Sequence, residues 1–361
     1  MYIKNLSLQD FRNYENEKIE FSDGVNIIYG NNGMGKTNAL EAIYYFSQGR
    51  GLRGSGREAI RHGCQQGKIS IEFSCEDRDH TGEIRFDGRN KKIFLNEIEL
   101  KKTSQLIGKF VCVLFTPDEM NLVKGAPEVR RRFLDSSIIP MRPSYLSALM
   151  NYNIILKQKS TLLRKEEYRM LPVFNQQLAE VGARIIHIRQ AYIDGIKDIA
   201  AQVQREISSG AEKLEISYNS TVKSCDTKDE TAYALLEKMA AMESSEKENK
   251  ICFVGPHRDD ISFEINGRSA RSYASQGQQR SIVLCLKAAQ TELILRETGE
   301  SPVMLLDDIM SELDKYRRDF LCEKISGKQV IITCTDPENS NIKSYNNEIQ
   351  IRNGKVYPSK V

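Results

Sequence analysis

The sequence predicts an α/β fold in two domains, in which a mainly helical domain is inserted into an α/β domain. Residues 25–29 form a short apolar run that ends at a glycine-rich turn, and an apolar helix pattern follows over residues 36–49. Buried-strand patterns return at residues 303–306 and 329–333. Between these regions, apolar residues recur every three or four positions over residues 178–203, which predicts one long amphipathic helix.

The remaining segments complete the predicted α/β core with an attached antiparallel β lobe. The pattern is helical from residue 128 to about 210, and the polar stretch 223–250 is expected to include loop. We expect the long helix to pack within its own domain rather than to extend as a coiled-coil arm. The other strand-like segments are residues 2–29, 68–75, 82–95 (a hairpin at Asp87 and Gly88), 251–254 and 261–265.

These patterns predict three stretches of chain. Residues 1–116 form the N-terminal part of the α/β domain, residues 117–248 the inserted mainly helical domain, and residues 249–361 the C-terminal part of the α/β domain. Both outer stretches show alternating strand and helix patterns, which indicates that they fold together as one domain.

Composition excludes several classes of protein. The 361 residues are 40% hydrophobic and 28% charged, as in globular proteins, and the net charge of +3 does not by itself indicate a nucleic-acid binder. The eight cysteines form no CxxC pair, which argues against a zinc site or a disulfide framework. The N-terminus lacks the apolar stretch of a signal peptide, and no apolar run approaches the roughly 20 residues of a membrane span. We therefore expect a cytoplasmic protein without a membrane partner.

The stretch GNNGMGKT fits the phosphate-loop pattern GxxxxGK[ST] and lies between a predicted strand and a predicted helix. Its glycines let backbone N–H groups converge on phosphate oxygens at a helix N-terminus. Lys36 can reach the β and γ phosphates, and the Thr37 hydroxyl can ligate Mg²⁺. The alternative is a glycine-rich turn without a ligand, but the strand–loop–helix context favours ATP. The predicted ATP-binding residues here are Gly30, Asn31, Asn32, Gly33, Met34, Gly35, Lys36 and Thr37.

An acidic pair follows the buried strand at residues 303–306. We expect Asp307 to complete the Mg²⁺ site with Thr37, and Asp308 to orient or deprotonate the attacking water, so that Lys36 and Asp308 are the predicted catalytic residues. On its own, the pair could be a solvated turn after a strand. Its combination with a phosphate loop favours the nucleotide site.

A second polar segment, SQGQQ at residues 275–279, precedes a helix of about 20 residues, or roughly 30 Å. Ser275, Gln276, Gly277 and Gln278 offer a hydroxyl, amides and free N–H groups at a helix start, which suit a γ-phosphate. If this helix runs back along the strand that ends at Asp307, its start lies far from its own nucleotide. We therefore predict a symmetric dimer in which each chain completes the ATP site of the other. The alternative is simple capping of the helix by Ser275.

The order of these motifs, with LLDD and SELD at residues 305–308 and 311–314, resembles the ABC-type ATPase heads of the SMC class. The closer resemblance is to the RecF family of bacterial recombination mediators, through VGPHRDD, ASQGQQR, FTPDEMNLVKGAPEVRRRFLD and YNIILKQKSTLLR. It implies a DNA-dependent ATPase that dimerises on ATP, binds single- and double-stranded DNA at gaps and junctions, acts with RecR and RecO in loading RecA, and is associated with the nucleoid. It also implies roles in DNA repair, DNA replication and the SOS response to DNA damage.

The sequence departs from the broader ATPase pattern at three points. Gln276 replaces the first glycine of the usual Ser-Gly-Gly-Gln signature, and Asp308 stands where transporters carry Glu. The shorter side chain predicts slow hydrolysis, suited to a switch. A glutamine that many such ATPases carry after a strand is lacking at Val113-Leu114-Phe115-Thr116, so this ligand is not identified.

Two arginine clusters are the candidate DNA contacts. Both could bind phosphates without reading sequence, although charge clusters are often only solvated surfaces. For the HRDD tetrapeptide that starts at His257, a structural role at the ATP site or at an interface is favoured over a His–Asp catalytic pair or a metal site. The candidates are Arg130, Arg131 and Arg132 at a helix start, and Arg50, Arg53 and Arg57 in a glycine-rich loop.

Three rival functions remain at this point. A transporter-type or another SMC-like ATPase subunit would share the ATP chemistry with a different partner, but the inserted arginine-rich helices and the SQGQQ variant argue against a transporter. A small-molecule kinase would have no use for the segment at Ser275. A scaffold that binds ATP without hydrolysing it can be distinguished from an ATPase only by measuring ATP hydrolysis.

Overall fold

The computed structural model describes residues 1–52, 56–88, 90–223, 225–340, 342 and 344–358. It divides into two compact units, of which the first comprises Met1–Asn121 with Arg280–Val361 and the second comprises Leu122–Gln279. The division agrees with an insertion into an α/β domain. It differs from the predicted boundary at residue 249, because the strand at residues 260–265 pairs with a strand at residues 214–219 and so belongs to the second unit.

The first unit contains two six-stranded sheets, one antiparallel and one mainly parallel. The antiparallel sheet has the order β2-β1-β4-β5-β6-β7, and the other has the order β15-β14-β3-β13-β12-β8, in which only β14 and β15 pair antiparallel. The strands are β1 (Tyr2–Phe11), β2 (Tyr14–Glu20), β3 (Val25–Tyr29), β4 (Gly67–Cys75), β5 (Arg78–Phe86), β6 (Lys91–Leu95), β7 (Ile98–Leu100), β8 (Cys112–Phe115), β12 (Val303–Asp307), β13 (Val330–Cys334), β14 (Asn347–Arg352) and β15 (Lys355–Pro358).

Helix α1 (Lys36–Gln48) contacts both sheets and is buried along most of its length. Its Phe46 ring packs on Phe73 and Phe110, at centroid distances of 5.9 and 6.2 Å. Gly82 of β5 makes room for this ring, since a Cβ there would lie 2.0 Å from Phe46 Cζ. The other helices of this unit are α2 (Gly56–Ala59), α10 (Lys315–Ile325) and most of α9 (Gln276–Thr298).

The second unit is mainly helical, with one three-stranded antiparallel sheet of order β11-β10-β9. Helix α5 is the predicted long helix, and it packs on α4, α6 and β9 of the same unit, which confirms the compact arrangement. The helices and strands of the second unit are α3 (Pro127–Ile138), α4 (Pro143–Lys165), α5 (Leu171–Ile207), β9 (Leu214–Asn219), α6 (Lys228–Ala241), α7 (Glu243–Asn249), β10 (Asp260–Ile265), β11 (Arg268–Ser269), α8 (Ala270–Tyr273) and the start of α9.

One local expectation for this unit was wrong, since residues 251–254 form no strand. The stretch 223–250 includes loop before residue 228, as expected, although α6 and α7 occupy most of it. Helix α6 begins at a capping box, in which Thr227 accepts from the Glu230 N–H and Glu230 accepts from the Thr227 N–H. The buried face of α6 is a narrow stripe of Thr231, Leu235 and Met239. The many charged residues around it made this helix hard to predict from the sequence.

Candidate functional site

The glycine-rich loop lies between β3 and α1, as predicted. Gly35 is the N-cap of α1 with φ +116°, and it has no side chain that could cap the first N–H groups of the helix. The buried Lys36 ammonium donates to the carbonyl oxygens of Gly30 and Asn31 at 2.6 and 3.1 Å. The loop therefore combines open helix N–H groups with a cation, an arrangement suited to an anionic ligand.

The loop is held by residues from two other parts of the first unit. In the turn between β1 and β2, Asn13 Nδ2 donates to the Met34 carbonyl at 2.9 Å, and Asn13 Oδ1 accepts from Asn38 at 2.8 Å. After β14, the Gly354 N–H donates to the same Met34 carbonyl at 3.0 Å. These bonds fix the loop backbone from both sides.

Asp307 ends β12 beside the start of α1. Its Oδ1 accepts from the Thr37 hydroxyl at 3.0 Å and from the Thr333 hydroxyl at 2.7 Å. Thr333 stands directly opposite Asp307 in the parallel β12–β13 pair, and β13 is also the neighbour of β3. The strand order thus brings the predicted Mg²⁺ ligands together, and Thr333 orients the carboxylate.

Asp308 follows in the left-handed region of the backbone, with φ +52°. Its N–H donates to the Thr333 hydroxyl at 2.9 Å, and its carbonyl accepts from Ser311 at 2.9 Å. Partial burial raises the pKa of the Asp308 carboxyl, and nearby Asp307 adds to this rise while Lys36 opposes it. Left-handed conformations of non-glycine residues concentrate at functional sites, and a raised pKa suits a proton acceptor.

A cleft of about 480 Å³ joins these groups within the first unit. Leu52, Thr116, Pro117 and Asp118 also line it, and sequence reasoning did not assign them to the site. Residues 116–118 follow β8, which neighbours β12, so the carboxyl ends of parallel strands again meet at one edge. The polar residues after the 112–115 apolar run were the available signal.

The residues present fit a nucleoside triphosphate with Mg²⁺. Thr37 and Asp307 offer the hard oxygen ligands that Mg²⁺ prefers, already within 3.0 Å of each other. Lys36 and the first N–H groups of α1 supply positive charge on the same side of the cleft. Within the described ranges, there is no cluster of three or more His, Cys, Asp or Glu side chains of the kind that holds a metal by protein ligands alone.

The segment at Ser275 lies in the second unit and caps α9. The Ser275 Oγ accepts from the Gln278 N–H at 3.2 Å, and the Gln278 side chain accepts from the Ser275 N–H at 2.8 Å. Gln278 Nε2 also donates to Glu212 at 2.8 Å. These contacts include the capping by Ser275 that was the alternative interpretation of the segment. Ser275 and Gln276 are nevertheless exposed, and an accepting hydroxyl keeps its own proton available for donation.

Arg130 is not available for a DNA contact, so this candidate is corrected. Its side chain is 1% exposed and forms a bidentate ion pair with Asp260, at 2.6 and 2.8 Å. It also donates to the carbonyls of Leu122 and Gly125 at 3.1 and 2.8 Å. Arg130 therefore ties α3 to β10 inside the second unit.

The other arginine candidates differ in their exposure. Arg131 is half-buried and donates to the Asp259 carbonyl at 2.9 Å, while Arg132 is 71% exposed and pairs with Glu128 on its own helix. Arg50 and Arg57 are exposed in the first unit. Arg53 lies outside the described residues.

The HRDD tetrapeptide is part of an internal hydrogen-bond network of the second unit. His257 Nδ1 lies 2.8 Å from the Tyr152 hydroxyl, and Asp259 accepts from the Thr221 N–H at 2.8 Å. Burial lowers the pKa of His257 to about 4, so the imidazole is neutral at ordinary pH. These contacts are structural, but they lie inside the second unit, and residues 257–260 are not among those that line the nucleotide cleft, where a role was expected.

No described helix combines the length and the apolar character that a membrane span requires. Residues 2–356 match the family described as RecF/RecN/SMC N terminal domain. The chain is 36% identical to the DNA replication and repair protein RecF of Acetivibrio thermocellus, with 98% of each chain covered. It is 39% identical to the protein of the same name from Clostridium acetobutylicum, with 99% of each covered.

A solved structure gives the same result for the fold. The "recombination mediator protein RecF-ATPrS in RecFOR pathway" matches with a TM-score of 0.92 and 36% identity, covering 99% of this chain and 98% of that one. The predicted ATPase-head fold, a P-loop α/β core with an antiparallel lobe and an inserted mainly helical domain, is thereby confirmed. From its strand order, its motifs and these full-length similarities, the chain belongs to the RecF family.

Proposed function

We propose that the chain is an ATP-dependent DNA-binding protein of recombinational DNA repair and replication. It would dimerise on ATP, bind gapped DNA and junctions between single- and double-stranded DNA, and act with RecR and RecO in loading RecA. The meeting of Thr37, Asp307 and Thr333 beside the phosphate loop carries the ATP part of this proposal. The names of the full-length relatives support the repair and replication part.

The residues of the cleft suggest how a slow ATPase would work. Lys36 and the N-terminal N–H groups of α1 would bind the phosphates, and Thr37 and Asp307 would hold Mg²⁺. Bound Mg²⁺ would neutralise charge on the β and γ phosphate oxygens. Asp308 would orient the attacking water and accept its proton. Hydrolysis would serve as a switch for releasing the dimer.

The second wall of the ATP site would come from a second copy of the chain. Ser275, Gln276, Gly277 and Gln278 would approach the γ-phosphate held by the partner, where the exposed Ser275 hydroxyl would donate. The arginines left as DNA-phosphate contacts are Arg50, Arg53, Arg57, Arg131 and Arg132. Such contacts make affinity fall steeply with salt and carry little sequence preference.

Sedimentation velocity with ATP, ADP or no nucleotide, with and without gapped DNA, tests the proposal. We expect dimers only with ATP, and we expect Lys36→Ala and Ser275→Arg each to abolish them. Ser272→Arg, three residues earlier on an exposed position of α8, is the matched control and should dimerise normally. Mixing Lys36→Ala with Ser275→Arg should restore one complete site per dimer. Full ATP-dependent dimerisation of Ser275→Arg would refute the shared site.

Single-turnover hydrolysis separates this function from a scaffold that only binds ATP. Asp308→Asn removes the proton acceptor while keeping the size of the side chain. We expect slow hydrolysis by the natural sequence and a rate at least about 100-fold lower for the variant, the usual contribution of a general base. Equal rates would mean that the chain binds ATP without catalysing its hydrolysis through Asp308.

A further inference from the structure

Helix α9 carries a buried cation in the first unit, at Lys287. Its side chain is 5% exposed, and its Nζ lies 2.5 Å from Glu119 Oε1 and 5.8 Å from the centre of the Phe115 ring. Burying such a pair costs desolvation energy that an apolar pair of similar size would avoid. The pair therefore indicates that these side chains fix the position of the segments that carry them more than they stabilise the fold.

Glu119 also hydrogen-bonds to the backbone of the turn that follows β8. Its second oxygen, Oε2, accepts from the Thr116 N–H at 3.2 Å, and its own N–H donates to the Thr116 carbonyl at 3.1 Å. One carboxylate thus joins the Lys287 ammonium to the backbone of residue 116. The side chain of Glu119 closes the turn at residues 116–119.

The same turn forms one wall of the candidate nucleotide cleft. Thr116, Pro117 and Asp118 line it together with Lys36 and Asp307. The chain of contacts therefore runs from α9 through Glu119 to the cleft without leaving the first unit. A shift of α9 along its axis would move the turn, because the short, charge-assisted bond to Lys287 tolerates little stretching.

A second ion pair joins α9 to the turn that follows Asp308. Arg280 lies seven residues before Lys287, which is two helical turns, so both face the same way. Its Nη2 lies 3.1 Å from Glu312 Oε2, in the turn after Asp308. This pair is 33% and 45% exposed and contributes less than the buried one.

We propose that Lys287 is a positioning residue for the nucleotide site, which acts through Glu119 to hold the turn at residues 116–118 against the phosphate loop. The inference rests on the proposed function, in that the cleft must bind ATP. The part of α9 that lies in the first unit would thereby contact the cleft indirectly, through Glu119.

Equilibrium binding of a fluorescent ATP analogue, mant-ATP, with Mg²⁺ tests the inference on the full chain. The key variant is Lys287→Met with Glu119→Leu, which replaces the ion pair by apolar side chains and so should keep or raise the unfolding temperature. It nevertheless removes the acceptor for the Thr116 N–H. Lys287→Met alone is the second variant. Arg296→Met, which removes a cation from an exposed pair with Glu292 on the same helix, is the control.

We expect the Kd for mant-ATP to rise about tenfold in both Lys287 variants, because the turn at residues 116–118 is no longer held against the phosphate loop. The control should keep the Kd of the natural sequence. A purely structural role would change the unfolding temperature and leave the affinity of the folded protein unchanged. An unchanged Kd in the well-folded double variant would therefore overturn this inference but not the proposed function. Failure of the natural sequence to bind mant-ATP would overturn the proposed function and the inference together.

Discussion

Arg130→Met should destabilise the second unit severely, because it breaks a buried ion pair. Methionine keeps most of the aliphatic volume of the side chain but removes the guanidinium. The carboxylate of Asp260, 28% exposed, then loses a bidentate partner, and the carbonyls of Leu122 and Gly125 lose their donors. Removing one member of a buried pair costs about 3–5 kcal/mol. Partial exposure of Asp260 places the expected loss near the lower end, about 3 kcal/mol.

Urea denaturation of the full chain, followed by far-ultraviolet circular dichroism, measures this loss in the transition of the second unit. Arg132→Met is the matched control on the same helix, since Arg132 is 71% exposed and pairs with Glu128 one turn away. Such exposed pairs contribute about 0.3–0.5 kcal/mol. Adding Asp260→Asn to Arg130→Met removes the unpaired charge and should recover part of the stability.

The outcome distinguishes a structural role from a DNA contact. If Arg130→Met loses less than about 1 kcal/mol, or no more than Arg132→Met, then the ion pair does not stabilise the unit as argued. If Arg130 contacted DNA, Arg130→Met would instead bind gapped DNA more weakly and with a smaller dependence on salt, while its stability would be unchanged.

Three further predictions follow from other sites. Thr333→Val removes the hydroxyl that orients Asp307 and should lower ATP hydrolysis about 10- to 100-fold, measured at a temperature where thermal unfolding shows both proteins to be fully folded. Gly82→Ala should destabilise the first unit by about 1–3 kcal/mol in urea denaturation, because its Cβ would lie 2.0 Å from Phe46. The folded-state pKa of His257 is about 4, below its unfolded value, so stability should fall as the pH drops from about 6.5 to about 4, by up to about 3 kcal/mol. His257→Gln should flatten this part of a pH–stability profile, and an unchanged slope would contradict the assignment.

The phosphate loop and the acidic pair could be predicted because each is a local pattern. Thr333 could not, since its role depends on which strand lies beside β12 and in which register, and this pairing is not visible in the sequence. For Thr116 the sequence indicated a site after the strand at residues 112–115 but not which residue lines it. Long-range strand order, rather than residue type, determines these parts of the cleft.

Arg130 was misassigned because a run of three arginines was treated as one surface. Successive residues of a helix point about 100° apart, so three neighbours cannot share a face. Arg130 lies on the side of Phe133 and Leu134, three and four positions further on, and both of these are buried. The helical period thus held the information that distinguishes Arg130 from Arg132.

The anchoring of the phosphate loop has a consequence for truncated variants. Met34 is bonded both to Asn13 and to Gly354, in the turn that joins β14 to β15. Removing β15 and its turn would delete no residue of the cleft. It would still release one side of the loop backbone, so a shortened protein should lose nucleotide affinity while its catalytic side chains are all retained.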